Sequence, residues 1–285
     1  MPAVDDARRR LVLASRHVRA LVLLAGGTDE AEIEQEEPGA VGELRAGGLL
    51  RADGTAVPLV QDLLACSAVP TLRVVVEVLG PQGATVADVV VSGEDVWLAD
   101  AWPGEDHRAE RVHSRHDLPT LMWDLTRMVG LRRRTPPPDA RPVTADLLTV
   151  ERLLAALSTE PAPDWDDLKA FALSRAADDL SHLPEADRTR WVAVLASLQS
   201  SWRITAFWGD PDSEPDVVRG LAVLDCGEQG YWQRTTPPEP LRVEDLQPDT
   251  PVRYEPVTAG ALWAALARTL PTTDELRAAA EARSA

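Results

Sequence analysis

The segment that decides the fold is residues 202–232, where WRITAFWG (202–209) is followed, after a short acidic turn, by GLAVLDCGEQGYW (220–232). In the first part Trp202, Ile204 and Trp208 fall on alternate positions, the period of two expected for a strand. The second part is an apolar run closed by glycines, which indicates a buried strand leading into a tight turn. Because Asp and Pro residues between them are typical of turns, the segment predicts a β-hairpin.

A similar unit occurs earlier in the chain, at residues 72–80 (LRVVVEVLG) and 89–97 (VVVSGEDVW). Helical spacing of apolar residues precedes each hairpin, and a further helical segment follows each one. We therefore predict an α+β protein built from an internal repeat, with Trp97 and Trp232 at equivalent places after the two hairpins. Chance similarity between two ordinary α+β units is the alternative.

The clearest linker is residues 132–138 (RRRTPPP), since consecutive prolines join neither a helix nor a central strand. We predict an N-terminal half over residues 1–131, a Pro-rich linker over 132–142, and a C-terminal half over 143–285. In the C-terminal half, helices are predicted after the caps Thr144, Asp164 and Asp187. A capping box from Thr272 to Glu275 is expected to start a last helix.

Several other segments give expectations that the structure can check. Residues 4–25 have an amphipathic helical pattern, and residues 41–50 predict a short helix ended by glycines. The acidic run 29–37 predicts a solvated loop or a frayed helix. Residues 98–117 and 235–256 are polar and predict long connections.

Charge and cysteine content exclude several classes of function. The chain has 46 acidic against 29 basic residues and a formal net charge of −17, which opposes binding to nucleic acid or to anionic membrane surfaces. No segment approaches the length of a membrane span. Its two cysteines, Cys66 and Cys226, form no disulfide framework or zinc motif, so a cytoplasmic location is expected.

The segment around His107, His113 and His116 is the strongest candidate for metal chemistry. It lacks apolar periodicity, a HExxH motif and cysteine partners, so we predict a polar loop and no metal or cofactor site. A metal-dependent hydrolase that uses the His107–His116 loop is the alternative. Ser114, His116 and Asp117 are adjacent in sequence, whereas members of a catalytic triad converge from separate segments.

The chain has nine tryptophans against two phenylalanines and two tyrosines. Core packing is the default role of tryptophan, but tryptophan is also enriched at the anchors of protein interfaces. Four of them fit core positions of the predicted repeat: Trp97, Trp191, Trp202 and Trp263. Four others lie near turns or element ends, where a binding surface is expected: Trp102, Trp165, Trp208 and Trp232.

Three short segments carry a resemblance to a known family: 43–54 (ELRAGGLLRADG) with the helix that follows, 225–231 (DCGEQGY), and 255–258 (EPVT) before the last major helix. In these segments the chain resembles the EspG family, the cytosolic chaperones of type VII (ESX) secretion. Cys226 stands where the family has Thr, and the family's Arg before Tyr231 is missing. The resemblance implies a pseudo-two-fold α+β fold with a central antiparallel sheet and helical bundles. It also implies capture of the apolar tip of PPE-type secretion substrates.

We therefore predict a non-enzymatic cytosolic chaperone whose partner is a PPE-like or WxG-type secretion protein. The predicted protein-binding residues are Phe207, Trp208, Tyr231 and Trp232, which are expected to lie close together if the two strands pair as a hairpin. An immunity or scaffold protein on the same sheet is a further alternative.

Overall fold

The protein is described by a computed structural model over residues 1–103, 110–158, 164–209, 217–235 and 250–282. The predicted α+β class is confirmed, with antiparallel strands flanked by helices. Contacts divide the chain into two compact units, residues 1–73 with 86–121 and residues 74–85 with 122–285. Residues 74–85 group with the C-terminal unit although the chain on both sides of them belongs to the first. The predicted boundary at the Pro-rich linker 132–142 stays a prediction.

The first unit combines a strand meander with four helices among its described residues. Its strands are β1 (Ala3–Asp5), β2 (Arg10–Ala14), β4 (Gly83–Ser92), β5 (Asp95–Pro103) and β6 (Glu110–Asp117), with the first residues of β3 (Leu72–Gly80). They follow the order β1-β2-β6-β5-β4. Its helices are α1 (Ser15–Ala25), α2 (Glu30–Glu36), α3 (Ala40–Ala46) and α4 (Pro58–Ala68).

The core of the first unit lies where the helices cover one face of these strands. Leu11 and Leu13 from β2, Leu44 from α3 and Trp97 from β5 are buried in one cluster. The acidic segment contributes as well: Ile33 of α2 is fully buried, and Asp29 caps the helix by accepting a hydrogen bond from the Ala31 N–H at 2.8 Å. One apolar residue therefore anchors an otherwise solvated acidic helix.

The second unit contains the predicted second hairpin. Its strands are β7 (Val143–Asp146), β8 (Ser200–Trp208), β9 (Val217–Asp225), β10 (Tyr231–Arg234) and β11 (Pro251–Val257), joined by most of β3. They follow the order β3-β8-β9-β10-β11-β7. Its helices are α5 (Leu121–Met128, less its first residue), α6 (Leu147–Ser158), α7 (Trp165–Asp179), α8 (Glu185–Ala196), α9 (Ala259–Thr269) and α10 (Thr273–Ala282).

The hairpin predicted within residues 202–232 is confirmed. Strands β8 and β9 pair antiparallel, from Ser200 opposite Asp225 to Trp208 opposite Val217. Helices α6, α7 and α8 pack over β7 and β9–β11 around a core that includes Trp191, Leu224, Trp232 and Tyr254. The Trp191 and Tyr254 rings meet edge to face at 5.6 Å, a favoured arrangement of aromatic pairs.

The prediction of one helix over residues 4–25 is wrong in its first half. Residues 3–14 form β1 and β2, and only Ser15–Ala25 are helical. Leu11 and Leu13, two residues apart, are fully buried and pair with β6. The period of two in this short stretch was hidden because the same leucines also fit a helical pattern.

Both long connections were also predicted wrongly, since each contains strand residues. Residues 98–103 continue β5 and residues 110–117 form β6. Within 235–256, Val252 and Tyr254 are buried on β11. Charged residues on these strands hid their strand character in the sequence. Arg115 of β6, for example, forms ion pairs with Asp62 and Asp95 that neutralise its charge.

The predicted helix caps are confirmed in two cases and corrected in two. Asp164 accepts from the Asp166 N–H at 2.9 Å, and the Thr272–Glu275 capping box forms in both directions. Thr144 lies in β7, and Asp146 accepts from the Thr149 N–H at 2.7 Å instead. Pro184, not Asp187, precedes the first residue of α8.

The order of elements is the same around both hairpins. Among the described residues, a helix, four strands and a helix follow one another as α4–β3–β4–β5–β6–α5 and as α8–β8–β9–β10–β11–α9. The internal repeat and the equivalence of Trp97 and Trp232 in space stay predictions.

Candidate protein-binding site

The four aromatic residues predicted to bind a partner do not form one group. Trp208 lies opposite Val217 at one end of β9, whereas Trp232 lies opposite Leu224 near the other end. At about 3.4 Å per residue these positions are roughly 24 Å apart along the strand. The expectation that all four lie close together is wrong. Strand β10 pairs with the end of β9, which lies beside the start of β8, whereas Trp208 lies at the end of β8.

Three of these four side chains are also buried. Trp208, Tyr231 and Trp232 are 4%, 1% and 6% exposed, and only Phe207 is partly exposed. Arg219 covers the Trp208 ring, with its guanidinium carbon 5.1 Å from the ring centroid. Their role in partner binding stays a prediction, and burial leaves Phe207 as the accessible member.

Tyr231 has a structural contact that its sequence position did not reveal. Its hydroxyl accepts from the Arg132 N–H at 2.8 Å and donates to the Arg132 carbonyl at 3.2 Å. Nearby, the Asp225 carboxylate lies 3.0 Å from Arg134 Nε. Burial raises the pKa of Tyr231, so the hydroxyl stays protonated at neutral pH. The segment 225–231 therefore holds the predicted linker in place.

The remaining tryptophans divide between core and surface. Trp97, Trp191 and Trp202 are buried, as predicted. Trp165 is partly buried and donates from Nε1 to the Leu198 carbonyl at 3.2 Å. The side chain of Trp102 lies outside the described residues.

The most exposed tryptophan in the described part of the chain was not assigned from sequence. Trp123 on α5 is 69% exposed. It packs edge to face on Trp263 of α9, with ring centroids 5.0 Å apart at an angle of 61°. Trp263, which was predicted to be core, is only partly buried. A signal existed in the sequence, because Leu121 and Leu125 define the apolar face of α5, and Trp123 falls away from it.

Small residues extend this aromatic pair into a wider apolar surface. Apart from Arg268 in its last turn, the exposed positions of α9 carry little side chain: Gly260, Ala261, Ala264 and Ala267. Residues 259–269 (AGALWAALART) contain no carboxylate, in a chain with a net charge of −17. We call Trp123, Trp263 and these four residues the Trp123–Trp263 surface. A large aromatic beside a flat helix face without carboxylates is typical of a protein-binding anchor.

The histidine segment offers no shared ligand geometry in its described part. His107 lies outside the described residues, and from Glu110 onward the segment is strand and not loop. His113 and His116 are three apart on β6, so they point to opposite faces. His116 instead lies 2.9 Å from the Ser114 hydroxyl. Among the described residues no three His, Cys, Asp or Glu side chains converge on one point.

No helix within the described ranges has the length and apolar character needed to cross a membrane.

Comparison with known proteins supports the fold. The structure is similar to that of the Mycobacterium tuberculosis type VII secretion system chaperone EspG5, solved in complex with a PE25–PPE41 dimer. The TM-score is 0.51 at 13% sequence identity, over 92% of this chain and 97% of the chaperone chain. No family model matches the sequence, and no curated protein is significantly similar to it. The chain therefore has an EspG-like fold.

Proposed function

We propose that this protein is a non-enzymatic cytosolic chaperone that binds a type VII secretion substrate, a PPE-like or WxG-type protein, and keeps it soluble before export. The observation that carries the proposal is the likeness to the EspG5 chaperone over nearly the whole of both chains. The sequence motifs at residues 43–54 and 225–231 support the same assignment.

We further propose that the substrate contacts the Trp123–Trp263 surface. An indole that is 69% exposed leaves apolar area in water, and burying such area stabilises a complex by about 25 cal/mol per Å² before the costs of association. Because the Trp123 ring already packs edge to face on Trp263, little side-chain entropy is lost on binding. Such supported aromatics carry a large share of the affinity in many interfaces.

Co-expression with each PPE-like or WxG-type protein encoded in the same genome tests the chaperone role. We expect the partner to be soluble and to co-purify with the wild-type chain, and to aggregate when it is expressed alone. A partner that is equally soluble in both cases, and does not co-purify, would contradict the proposal.

The Trp123→Ala variant tests the surface in the same assay. We expect it to fold normally and to retain much less partner. Phe171→Ala is a matched control, since Phe171 is an exposed aromatic on a different helix, α7. Loss of the partner in Phe171→Ala but not in Trp123→Ala would keep the chaperone role and place the interface on the α6–α8 helices.

A further inference from the structure

A cavity in the first unit, separate from the Trp123–Trp263 surface, is lined by both apolar and charged side chains. It has a volume of ≈ 240 Å³ and lies between helices α1 and α4 and strands β4–β6. Leu63, Val90 and Trp97 are among its apolar lining residues, and Asp88, Arg111 and His113 are among its polar ones. The cavity thus offers an apolar surface beside charged groups, the usual composition of a small-ligand site.

Arg111 lines the cavity and has no carboxylate partner within the described part of the chain, unlike the nearby Arg16 and Arg73. Arg16 lies 2.6 Å from Glu43, and Arg73 lies 2.7 Å from Asp88. Asp88 is therefore already neutralised by Arg73. In a chain with 46 acidic residues, a guanidinium left unpaired at a cavity is a candidate for an external anion.

The state of His113 reports the charge of this cavity. Burial and, to a lesser extent, the nearby Arg111 cation lower the pKa of His113 to about 4, while Asp88 opposes the effect. The imidazole is therefore neutral at pH 7. The net local charge comes from Arg111, since Asp88 is paired.

Trp97 supplies a second unsatisfied group at the same place. It is 2% exposed, and its buried indole N–H has no hydrogen-bond partner within the described residues. Buried donors are normally satisfied by protein, water or ligand. The Trp97 indole therefore leaves one buried donor available to a water or ligand oxygen.

We propose that this cavity binds a short apolar carboxylate, with the apolar body against Leu63, Val90 and Trp97 and the carboxylate paired with Arg111. The ligand is either a free short-chain aliphatic acid or the terminal carboxylate of a peptide that ends in an aliphatic residue. This site does not depend on the chaperone function, so the two stand or fall separately.

Titration of the full-length protein with hexanoate at pH 7, followed by the NMR signals of the His113 imidazole, tests the proposal. We expect a saturable shift with hexanoate and none with hexanamide. We also expect the pKa of His113 to rise on binding, because a nearby carboxylate stabilises the imidazolium. Arg111→Gln should weaken binding by about tenfold or more, whereas Arg10→Gln, exposed on the adjacent strand β2, should leave it unchanged.

Peptides distinguish the two sources of the carboxylate. A short peptide ending in Ala-Leu is titrated once with a free and once with an amidated C-terminus. If the peptide with the free C-terminus binds more tightly than hexanoate, the site is assigned to peptides. If Arg111→Gln does not fold, Ser67→Leu, which fills the cavity but retains Arg111, should abolish binding. No saturable shift with hexanoate or free peptide, or equal binding of hexanamide, overturns the proposal.

Discussion

Gly230 shows why the segment from Asp225 to Tyr231 needs its particular residues. Its φ is +78°, and a Cβ placed there would lie 2.7 Å from the Pro136 Cα. Together with the Tyr231 hydroxyl, which is bonded to the Arg132 backbone, this close approach fixes residues 132–136 against the hairpin. A segment whose composition is typical of a flexible linker is thereby a packed part of the second unit.

Gly230→Ala should therefore lower the free energy of unfolding much more than Gly27→Ala. Both glycines have a positive φ, +78° and +83°, but nothing lies within 4 Å of a Cβ added at Gly27. Gly27→Ala is expected to cost about 1–2 kcal/mol from the left-handed backbone alone. Overpacking against Pro136 should add about 1–3 kcal/mol in Gly230→Ala. Urea denaturation measures both, and equal losses would show that Pro136 moves aside freely.

The buried and exposed tryptophans should respond differently to truncation. Trp208→Ala and Trp232→Ala remove core side chains, so each should lower the free energy of unfolding by about 3–5 kcal/mol. Trp123→Ala should change it by less than about 1 kcal/mol, because Trp123 is mostly in solvent. If Trp208→Ala and Trp232→Ala were as stable as the wild type and lost the partner, the four aromatics predicted from sequence would be the site after all.

At the scale of elements, the last helix is held by one arginine. Arg219 donates to the Arg268 carbonyl at 2.8 Å at the end of α9, and to the Glu275 carboxylate at 2.6 Å in the first turn of α10. Glu275 also accepts from the Thr272 N–H at 2.7 Å in the capping box. The position of α10 therefore depends on a single carboxylate.

Glu275→Gln should loosen α10 without unfolding the rest, because Gln can keep the capping box but loses the ion pair. We expect the opening free energy of residues 273–282, measured by hydrogen exchange, to fall by about 1 kcal/mol. Glu281→Gln, an exposed change on the same helix, is the control and should have no effect. Unchanged exchange in Glu275→Gln would mean that apolar packing alone holds the helix.

The protection of α10 should also depend on pH. Burial raises the pKa of Glu275, but the hydrogen bonds from Thr272 and Arg219 outweigh it and hold the pKa below the usual 4.5. A carboxylate whose pKa is lower in the folded state stabilises that state above its unfolded pKa. The opening free energy of α10, calculated from hydrogen exchange after correction for the pH dependence of intrinsic exchange, should therefore be constant above about pH 5.5. It should fall as the pH drops below 4.5 through the folded-state pKa of Glu275. Protection that rises on acidification would refute this.

Elements were predictable from sequence where one periodicity dominated. Residues 202–208 alternate without competition, so β8 was correctly predicted, as were α9 and the capping box of α10. Leu11 and Leu13 fit both a strand and a helix, and β2 became distinguishable only through its pairing with β6. The charged strand β6 was missed because Arg115 is compensated by Asp62 and Asp95, which are distant in sequence. The exposure of Trp123 was likewise missed, because it depends on which face of α5 packs against the rest of the protein.

At the scale of the whole molecule, the internal repeat is the prediction most easily checked in an experimental structure. Superposition of residues 58–130 on residues 190–271 should place Trp97 and Trp232 at corresponding positions. Each indole is buried beside helices of its own unit, and each has a buried N–H without a partner within the described residues. Different strand directions in the two segments would show that the sequence similarity arose by chance.

The proposed binding of a secretion substrate through the Trp123–Trp263 surface can be measured directly. Calorimetry gives the affinity of the purified chain for its co-purified PPE-like or WxG-type partner, for wild type, Trp123→Ala and Phe171→Ala. We expect tight binding by the wild type, a loss of about 2 kcal/mol or more in Trp123→Ala, and little change in Phe171→Ala. Absence of binding by the wild-type chain to any such partner would contradict the proposal.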